Sequence, residues 1–191
     1  MIWIKICGIT SPADALAALD AGVSAIGLIF APSPRQVTQT QALEIAACVR
    51  DHAEIVGVFK DASLVPAAHA AVHFDRIQIH SDAPVECDVP VMRALRPDAL
   101  SQNITLREGD MTLIDGSEGR GLAFDWMRAR PMPGRVVIAG GLTPENVGEA
   151  IAWLHPFGVD VSSGVERAPG LKDPRKMTRF VEAARRADGA R

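Results

Sequence analysis

Two glycine- and serine-rich segments near the end of the chain have the composition of an anion-binding site. Each closes an apolar, strand-like run; the residues are Gly140, Gly141, Ser162, Ser163 and Gly164. In a parallel α/β protein both turns can present unobstructed backbone N–H groups to one anion, and a phosphate is the ligand they favour. Glycines can also serve backbone geometry alone. Two such turns in adjacent units favour the phosphate.

A cysteine closes the first predicted strand, and a lysine stands two residues before it. Lys5 and Cys7 would share one face of an extended strand, about 7 Å apart. A nearby ammonium favours the thiolate, the form in which a cysteine acts as a base. The alternative is that Cys7 is a small core residue, the commoner role of a single buried cysteine.

An aspartate between two large aromatic residues is a second candidate for proton transfer. Phe124 and Trp126 supply apolar bulk that could desolvate the Asp125 carboxyl and raise its pKa, so that it keeps a proton near neutral pH. Asp125 could equally be the N-cap of a short helix that begins at Trp126.

Three further polar residues follow or end predicted strands. Arg35 follows a proline-rich segment whose stiffness could hold its guanidinium for two parallel hydrogen bonds to a carboxylate. Asp160 should lie near Lys5 and Cys7 if the sheet closes, where it could bind substrate or simply pair with Lys5. His80 could contact substrate or only line the site.

Eight short apolar segments alternate with helical patterns and predict the elements that carry these residues. The segments are 2–7, 25–30, 55–59, 76–79, 89–94, 111–114, 135–139 and 158–161. Repeated β–α alternation predicts parallel strands, because each crossover needs a helix. We expect one compact (β/α)₈ TIM barrel with shortened helices after strands four and five. The two small-residue segments then follow strands seven and eight, where such barrels bind phosphate.

An open doubly wound sheet is the alternative fold. Such folds that bind dinucleotides carry a glycine-rich loop after the first strand, whereas this chain has Cys7-Gly8-Ile9-Thr10 there. Three helices are predicted to begin at a capping residue followed by proline, namely at Ser11-Pro12, Thr143-Pro144 and Asp173-Pro174. Gly22 should end the first of them.

Composition bounds the class of protein. The chain has 191 residues, is 48% hydrophobic and carries a formal net charge of −3, which predicts one domain over residues 1–191. There is no basic surplus for nucleic acid, no apolar run long enough to span a bilayer and no signal-peptide pattern at the start. We therefore expect a cytoplasmic protein with no nucleic-acid, membrane or obligate protein partner.

The cysteines and histidines suggest neither a disulfide framework nor a metal site. The three cysteines are widely spaced, which fits a reducing compartment. Four histidines also lack metal-ligand spacing, so no metal is expected; they are His52, His69, His73 and His155.

Seven motifs in one order carry a resemblance to a known family. They are Lys5-Ile6-Cys7-Gly8-Ile9-Thr10, Ser33-Pro34-Arg35, Val56-Gly57-Val58-Phe59, Gln78-Ile79-His80, Gly119-Arg120-Gly121 leading to Phe124-Asp125-Trp126, Ala139-Gly140-Gly141-Leu142-Thr143-Pro144-Glu145-Asn146-Val147, and Gly158-Val159-Asp160-Val161-Ser162-Ser163-Gly164-Val165-Glu166. Together, from Lys5 to about Asp173, they resemble phosphoribosylanthranilate isomerase of tryptophan biosynthesis.

The resemblance implies an enzyme and assigns roles to its residues. The implied reaction is the Amadori rearrangement of N-(5-phosphoribosyl)anthranilate, an aldose–ketose isomerisation that needs one acid, one base and no cofactor. Cys7 would be the general base and Asp125 the general acid. Arg35 would bind the anthranilate carboxylate, and Lys5, His80 and Asp160 would contact or orient substrate.

Two other functions compete with this one. The chain could be a barrel that binds a sugar phosphate without converting it, although the presence of both Cys7 and Asp125 argues against this. It could also be a different phosphate-barrel enzyme, such as the histidine-pathway aldose isomerase or the tryptophan synthase α subunit. The former resembles a duplicated barrel with acids ending strands one and five, whereas here strand one ends in cysteine.

Overall fold

The computed structural model describes residues 1–95, 108–115 and 134–190. Eight parallel strands form a closed barrel in chain order, as the sequence predicts. The strands are β1 (Trp3–Cys7), β2 (Ala25–Ile29), β3 (Glu54–Phe59), β4 (Arg76–Ile79), β5 (Val91–Leu95), β6 (Met111–Asp115), β7 (Val136–Ala139) and β8 (Gly158–Val161). The predicted strand ends differ from these by at most two residues.

Pairing of the first and last strands closes the barrel. In the parallel ladder between β1 and β8, Lys5 stands opposite Asp160. Successive residues of β1 face opposite sides of the sheet. Ile4 and Ile6 therefore pack in the layer between sheet and helices, whereas Trp3 and Cys7 belong to the separate cluster that fills the barrel interior. This alternation directs Lys5 and Cys7 into the barrel.

Five α-helices surround the described part of the barrel. They are α1 (Pro12–Ala21), α2 (Gln39–Val49), α3 (Val65–Val72), α4 (Val147–Leu154) and α5 (Pro174–Gly189). Two of the predicted starts are confirmed: the Ser11 side chain accepts from the backbone of Asp14, and Asp173 caps α5. Gly22 ends α1 in the left-handed conformation, with φ of 86°.

The predicted helix start at Thr143-Pro144 is wrong. The helix begins three residues later, with Asn146 at the N-cap position. Thr143 and Asn146 instead close a turn, in which the Thr143 N–H donates to Asn146 Oδ1 (2.7 Å) and the Glu145 N–H donates to Thr143 Oγ1 (3.2 Å). A serine or threonine before proline thus also fits a turn that precedes a helix.

The abbreviated helix after the fourth strand is confirmed. Residues 80–90, all of which the structure describes, contain no helix. The segment after the fifth strand, 97–103, lies outside the described residues. None of the helices in the described ranges is both long enough and apolar enough to cross a membrane.

A hairpin between the barrel and the last helix was not predicted. After a 3₁₀ turn at Ser163–Val165, strands β9 (Glu166–Ala168) and β10 (Leu171–Lys172) pair in antiparallel fashion. The hydroxyl of Thr10 donates to the Gly170 carbonyl at 2.6 Å, which ties the hairpin to the loop after β1. The hairpin thereby covers one side of the carboxyl end of the barrel.

Candidate active site

A cavity of about 290 Å³ opens at the carboxyl ends of the barrel strands. This is the face on which TIM-barrel enzymes carry their active sites, and the volume is at the lower end of that of small-molecule sites. Predicted site residues form much of its lining: Cys7, Arg35, His80, Gly140, Gly141, Asp160, Ser162 and Ser163. Asp125, the predicted acid, lies outside the described residues.

Lys5 and Asp160 form a buried ion pair across the closing strands. Lys5 Nζ donates to Asp160 Oδ1 at 2.8 Å, and the lysine side chain has no exposed surface. Burial alone would lower the pKa of Lys5, but the Asp160 carboxylate and the nearby Cys7 outweigh it and raise that pKa above its usual value. The ammonium therefore stays charged beneath the cavity floor.

Cys7 lies beside this pair, in space that a glycine leaves free. A Cβ at Gly27 of β2 would stand 2.8 Å from Cys7 Sγ and 3.0 Å from Lys5 Cε. Any side chain at this position would displace the thiol or the lysine. The sequence does not predict this role of Gly27, because a single glycine within a strand has no distinctive pattern.

The charge balance at Cys7 differs from the simple expectation that Lys5 favours the thiolate. Burial raises the pKa of the Cys7 thiol above its usual value; Lys5 and Lys172 act in the opposite direction without cancelling it. The effect of the lysine has the predicted sign, but desolvation is larger. The thiol is the favoured form near neutral pH.

The two small-residue turns abut, as a shared anion site requires. Gly140 and Gly141 have φ of 90° and 68°, which only glycine adopts readily. A Cβ on Gly164 would lie 1.9 Å from the carbonyl oxygen of Leu142, so the turn after β8 packs directly on the turn after β7. Backbone conformation at Gly140 and Gly141 and close packing at Gly164 require glycine at these positions. The contact between the two turns also places both of them at one side of the cavity.

Arg35 is held by a partner that sequence reasoning missed. Its Nε donates to Glu166 Oε1 at 2.7 Å and its Nη2 to Glu166 Oε2 at 2.8 Å. The Arg35 side chain packs over Gly8, where a Cβ would lie 2.6 Å from Arg35 Cδ. Lys172 has no exposed surface and donates from Nζ to Glu166 Oε1 at 2.9 Å. The available signal was the presence of Glu166 and Lys172 in the segment between strand eight and the last helix.

His80 is a neutral imidazole in this site. Burial lowers its pKa to about 4, with Asp115 acting in the opposite direction. Its Nε2 lies 2.7 Å from Nε2 of Gln78. A neutral ring that lines the cavity can exchange hydrogen bonds with a ligand but carries no charge to it. Within the described residues, no cluster of three or more histidine, cysteine or acidic side chains could hold a metal ion.

Residues 4–183 match the family model described as N-(5'-phosphoribosyl)anthranilate (PRA) isomerase. The chain belongs to the PRA isomerase family. Among curated relatives, N-(5'-phosphoribosyl)anthranilate isomerase of Magnetococcus marinus is 44% identical over 99% of this chain and 98% of its own length. That of Pseudomonas fluorescens SBW25 is 41% identical over 97% of both chains.

Solved structures of similar proteins share the fold over 97% or more of this chain. A protein of Jonesia denitrificans, described as TrpF, is 36% identical with a TM-score of 0.83 and full coverage of both chains. A phosphoribosyl anthranilate isomerase solved with reduced 1-(o-carboxyphenylamino)-1-deoxyribulose 5-phosphate is 32% identical, with a TM-score of 0.79 over 97% of this chain and 99% of that one. The recognised family is therefore confirmed.

The PRA isomerase fold brings most of the predicted site residues together. Cys7, Arg35, His80, Asp160 and the two turns meet at one cavity, with Lys5 directly beneath it bound to Asp160. The catalytic and binding roles of these residues stay predictions, as does the role of Asp125.

Proposed function

We propose that this protein converts N-(5-phosphoribosyl)anthranilate to 1-(2-carboxyphenylamino)-1-deoxyribulose 5-phosphate in tryptophan biosynthesis, by acid–base catalysis without a cofactor. One observation carries the proposal beyond family membership. A thiol, an arginine and two abutting glycine turns line a single cavity. The proposed substrate carries a carboxylate at one end, a phosphate at the other and, between them, a carbon that becomes acidic once the ring opens to a Schiff base.

Each end of the substrate has a complementary group in the cavity lining. The turns at 140–141 and 162–164 offer backbone N–H groups to the phosphate. Arg35 offers a charged, planar group to the anthranilate carboxylate. Because binding energy at remote ends can position the reacting carbon, we assign these contacts to orienting the ribose over Cys7.

The chemistry needs a proton delivered at one atom and removed at another. Protonation of the furanose ring oxygen, which we assign to Asp125, breaks the bond between C1 and that oxygen and leaves a protonated Schiff base. Cys7 Sγ, as thiolate, then takes the proton from C2, and that electron pair forms the C1–C2 double bond of an enolamine. Loss of the enol proton and protonation of C1 give the ketone.

The groups around Cys7 fit this role as base. Burial and Asp160 raise the pKa of the thiol, whereas Lys5 and Lys172 lower it, so the two lysines increase the thiolate fraction above what burial alone would leave. We assign Asp160 to holding Lys5 in place and to the substrate nitrogen. We assign neutral His80 to a hydrogen bond with substrate.

The wider setting belongs to the same proposal. The partner we expect is a small phosphosugar, with no nucleic acid or membrane, and the enzyme would work in the cytoplasm as one domain spanning residues 1–191. The match of residues 4–183 to one family model supports the single unit.

A continuous fluorescence assay with freshly prepared N-(5-phosphoribosyl)anthranilate tests the proposal. We expect the purified protein to accelerate loss of substrate fluorescence in proportion to enzyme concentration, without added metal or cofactor. A rate equal to that of buffer alone would exclude the proposed function.

A further inference from the structure

Arg35, Glu166 and Lys172 form a charged cluster beside the cavity, and the role inferred for this cluster rests on the proposed function. Arg35 lines the cavity, whereas Glu166 and Lys172 do not. Both are buried, at 7% and 0% exposure. Glu166 therefore acts on the site only through the groups it holds.

The geometry of the guanidinium leaves one edge for a ligand. Arginine has five N–H donors in a rigid plane, and Glu166 takes one from Nε and one from Nη2. Within the described residues no side chain or carbonyl bonds the edge formed by Nη1 and the second N–H of Nη2, which leaves it for another carboxylate in the bidentate manner. One guanidinium can thus bind Glu166 and a substrate carboxylate at the same time.

Glu166 is itself held in place from the other side. Its Oε1 accepts from Lys172 Nζ at 2.9 Å and from the Gly170 N–H at 3.3 Å, as well as from Arg35. Burial would raise the pKa of Glu166, but Arg35 and Lys172 prevail and lower it. The carboxylate is ionised and its orientation is fixed by three donors.

Lys172 extends the cluster to the phosphate side. Its Nζ also donates to the Ser162 carbonyl at 3.1 Å and lies 3.4 Å from Ser162 Oγ. Ser162 belongs to the turn after β8. A single chain of buried charges therefore runs from the turn expected to hold the phosphate to the arginine expected to hold the carboxylate.

We propose that Glu166, fixed by Lys172, is the positioning residue that orients Arg35 for the anthranilate carboxylate of the substrate. Two cations share one anion in the cluster, so the arginine retains positive charge toward the cavity. The bidentate contact sets the plane of the guanidinium, and that plane decides whether a rigid carboxylate can meet the free edge.

The test compares two ligands that differ at the carboxylate end. Reduced 1-(o-carboxyphenylamino)-1-deoxyribulose 5-phosphate has both a phosphate and a carboxylate, whereas ribose 5-phosphate has only the phosphate. We expect Glu166→Asp, which shortens the arm yet keeps the charge beside Lys172, to weaken binding of the first ligand about tenfold and of the second less than about twofold. The KM for substrate should rise in parallel, with kcat changed less.

A double-mutant cycle identifies the route of the effect. If Glu166 acts through Arg35, adding Glu166→Asp to Arg35→Met should change binding of the carboxylate ligand by less than about twofold. Glu54→Gln is the matched control, because Glu54 pairs with buried Arg76 at the amino ends of β3 and β4, with Nε–Oε2 of 3.3 Å. It should leave both affinities unchanged.

Each outcome separates the positioning role from the proposed function. Equal weakening of both ligands, or an undiminished effect of Glu166→Asp in the Arg35→Met background, would show that Glu166 only supports the fold and would overturn the positioning role alone. Failure of the wild-type protein to bind the carboxylate ligand or to turn over substrate would overturn both.

Discussion

Among single residues, Cys7 and Asp125 are each assigned one proton transfer. General acids and bases contribute about 10²- to 10⁴-fold to rates. We expect Cys7→Ala and Asp125→Ala each to lower kcat/KM by at least this much while the circular dichroism spectrum and thermal midpoint stay near those of the wild type. Wild-type-like turnover in either variant would remove that residue from its assigned role.

The neutral imidazole of His80 predicts a specific pH dependence of stability. Its pKa falls from 6.5 to about 4 on folding, so between these values the unfolded chain binds a proton that the folded protein does not. Stability contributed by the neutral ring is complete above pH 6.5 and is lost as the pH falls toward 4, by at most about 3 kcal/mol.

Urea unfolding at pH 7.5, 6, 5 and 4 measures this effect. His80→Gln should flatten the decline in the free energy of unfolding between pH 6.5 and 4, whereas His52→Gln, at an exposed position, should leave it unchanged. The same slope in the wild type and in His80→Gln would show that this histidine is not the group responsible.

The sequence predicted which side chains lie in the site better than it predicted whether those side chains are charged. Cys7, Lys5 and Asp160 were predicted to lie together because their strands and register follow from the repeating pattern. The net effect on the Cys7 thiol was not predictable, because desolvation depends on the whole surrounding core. Glu166 was missed as a site residue because its role comes from a contact with Arg35, 131 positions away.

At the scale of elements, glycines in neighbouring strands decide where side chains fit. Gly27 and Gly57 both lie inside strands, and a Cβ at either position would approach a side chain to 2.8 Å. The neighbours differ: Cys7 at Gly27, but Phe59 and Phe74 of the outer core at Gly57. The two positions therefore test different neighbours: the candidate base at Gly27, and at Gly57 two aromatic rings, of which Phe59 also lines the cavity.

Alanine should mainly lower activity at position 27 and mainly lower stability at position 57. Gly27→Ala should lower kcat/KM by about 10- to 100-fold, because displacement of the reacting group by about 1 Å carries this cost. Gly57→Ala should lower the free energy of unfolding by about 1–3 kcal/mol through overpacking, with a smaller loss of activity per folded molecule than Gly27→Ala. Equal activities in the two folded variants would mean that Gly27 does not shape the site.

Helix starts show how far local signals reach. Ser11 and Asp173 cap the helices that follow them, as predicted. Thr143 instead closes a turn, and helix α4 begins only after Asn146. The Asn146 side chain also donates to the Gly141 carbonyl at 2.9 Å. The local sequence allows both outcomes, and the contact of Asn146 with the turn after β7 accompanies the second.

At the scale of the whole molecule, closure joins distant parts of the chain. Helix α5 packs on α1, α4 and β1, and Asp188 at its end accepts from the N–H of Ile2 at 2.7 Å. The closed barrel was predictable from eight alternating units. The hairpin that follows β8 was not, because strands of two and three residues have no periodicity to detect.

Helix α5 should therefore report on the stability of the entire barrel. Phe180 of α5 is fully buried in the core, and Phe180→Ala should lower the free energy of unfolding by about 3–5 kcal/mol. Trp153→Ala, at a side chain that is 53% exposed, should lower it by less than about 1 kcal/mol. Equal effects in denaturant titrations would contradict the packing described for α5.

A crystal structure of this protein with reduced 1-(o-carboxyphenylamino)-1-deoxyribulose 5-phosphate would test the proposed binding mode. We predict the phosphate between the turns at 140–141 and 162–164, the carboxylate on the free edge of Arg35, and Cys7 Sγ next to the carbon derived from C2 of the substrate. A ligand bound with its phosphate elsewhere, or with that carbon out of reach of Cys7, would contradict this binding mode.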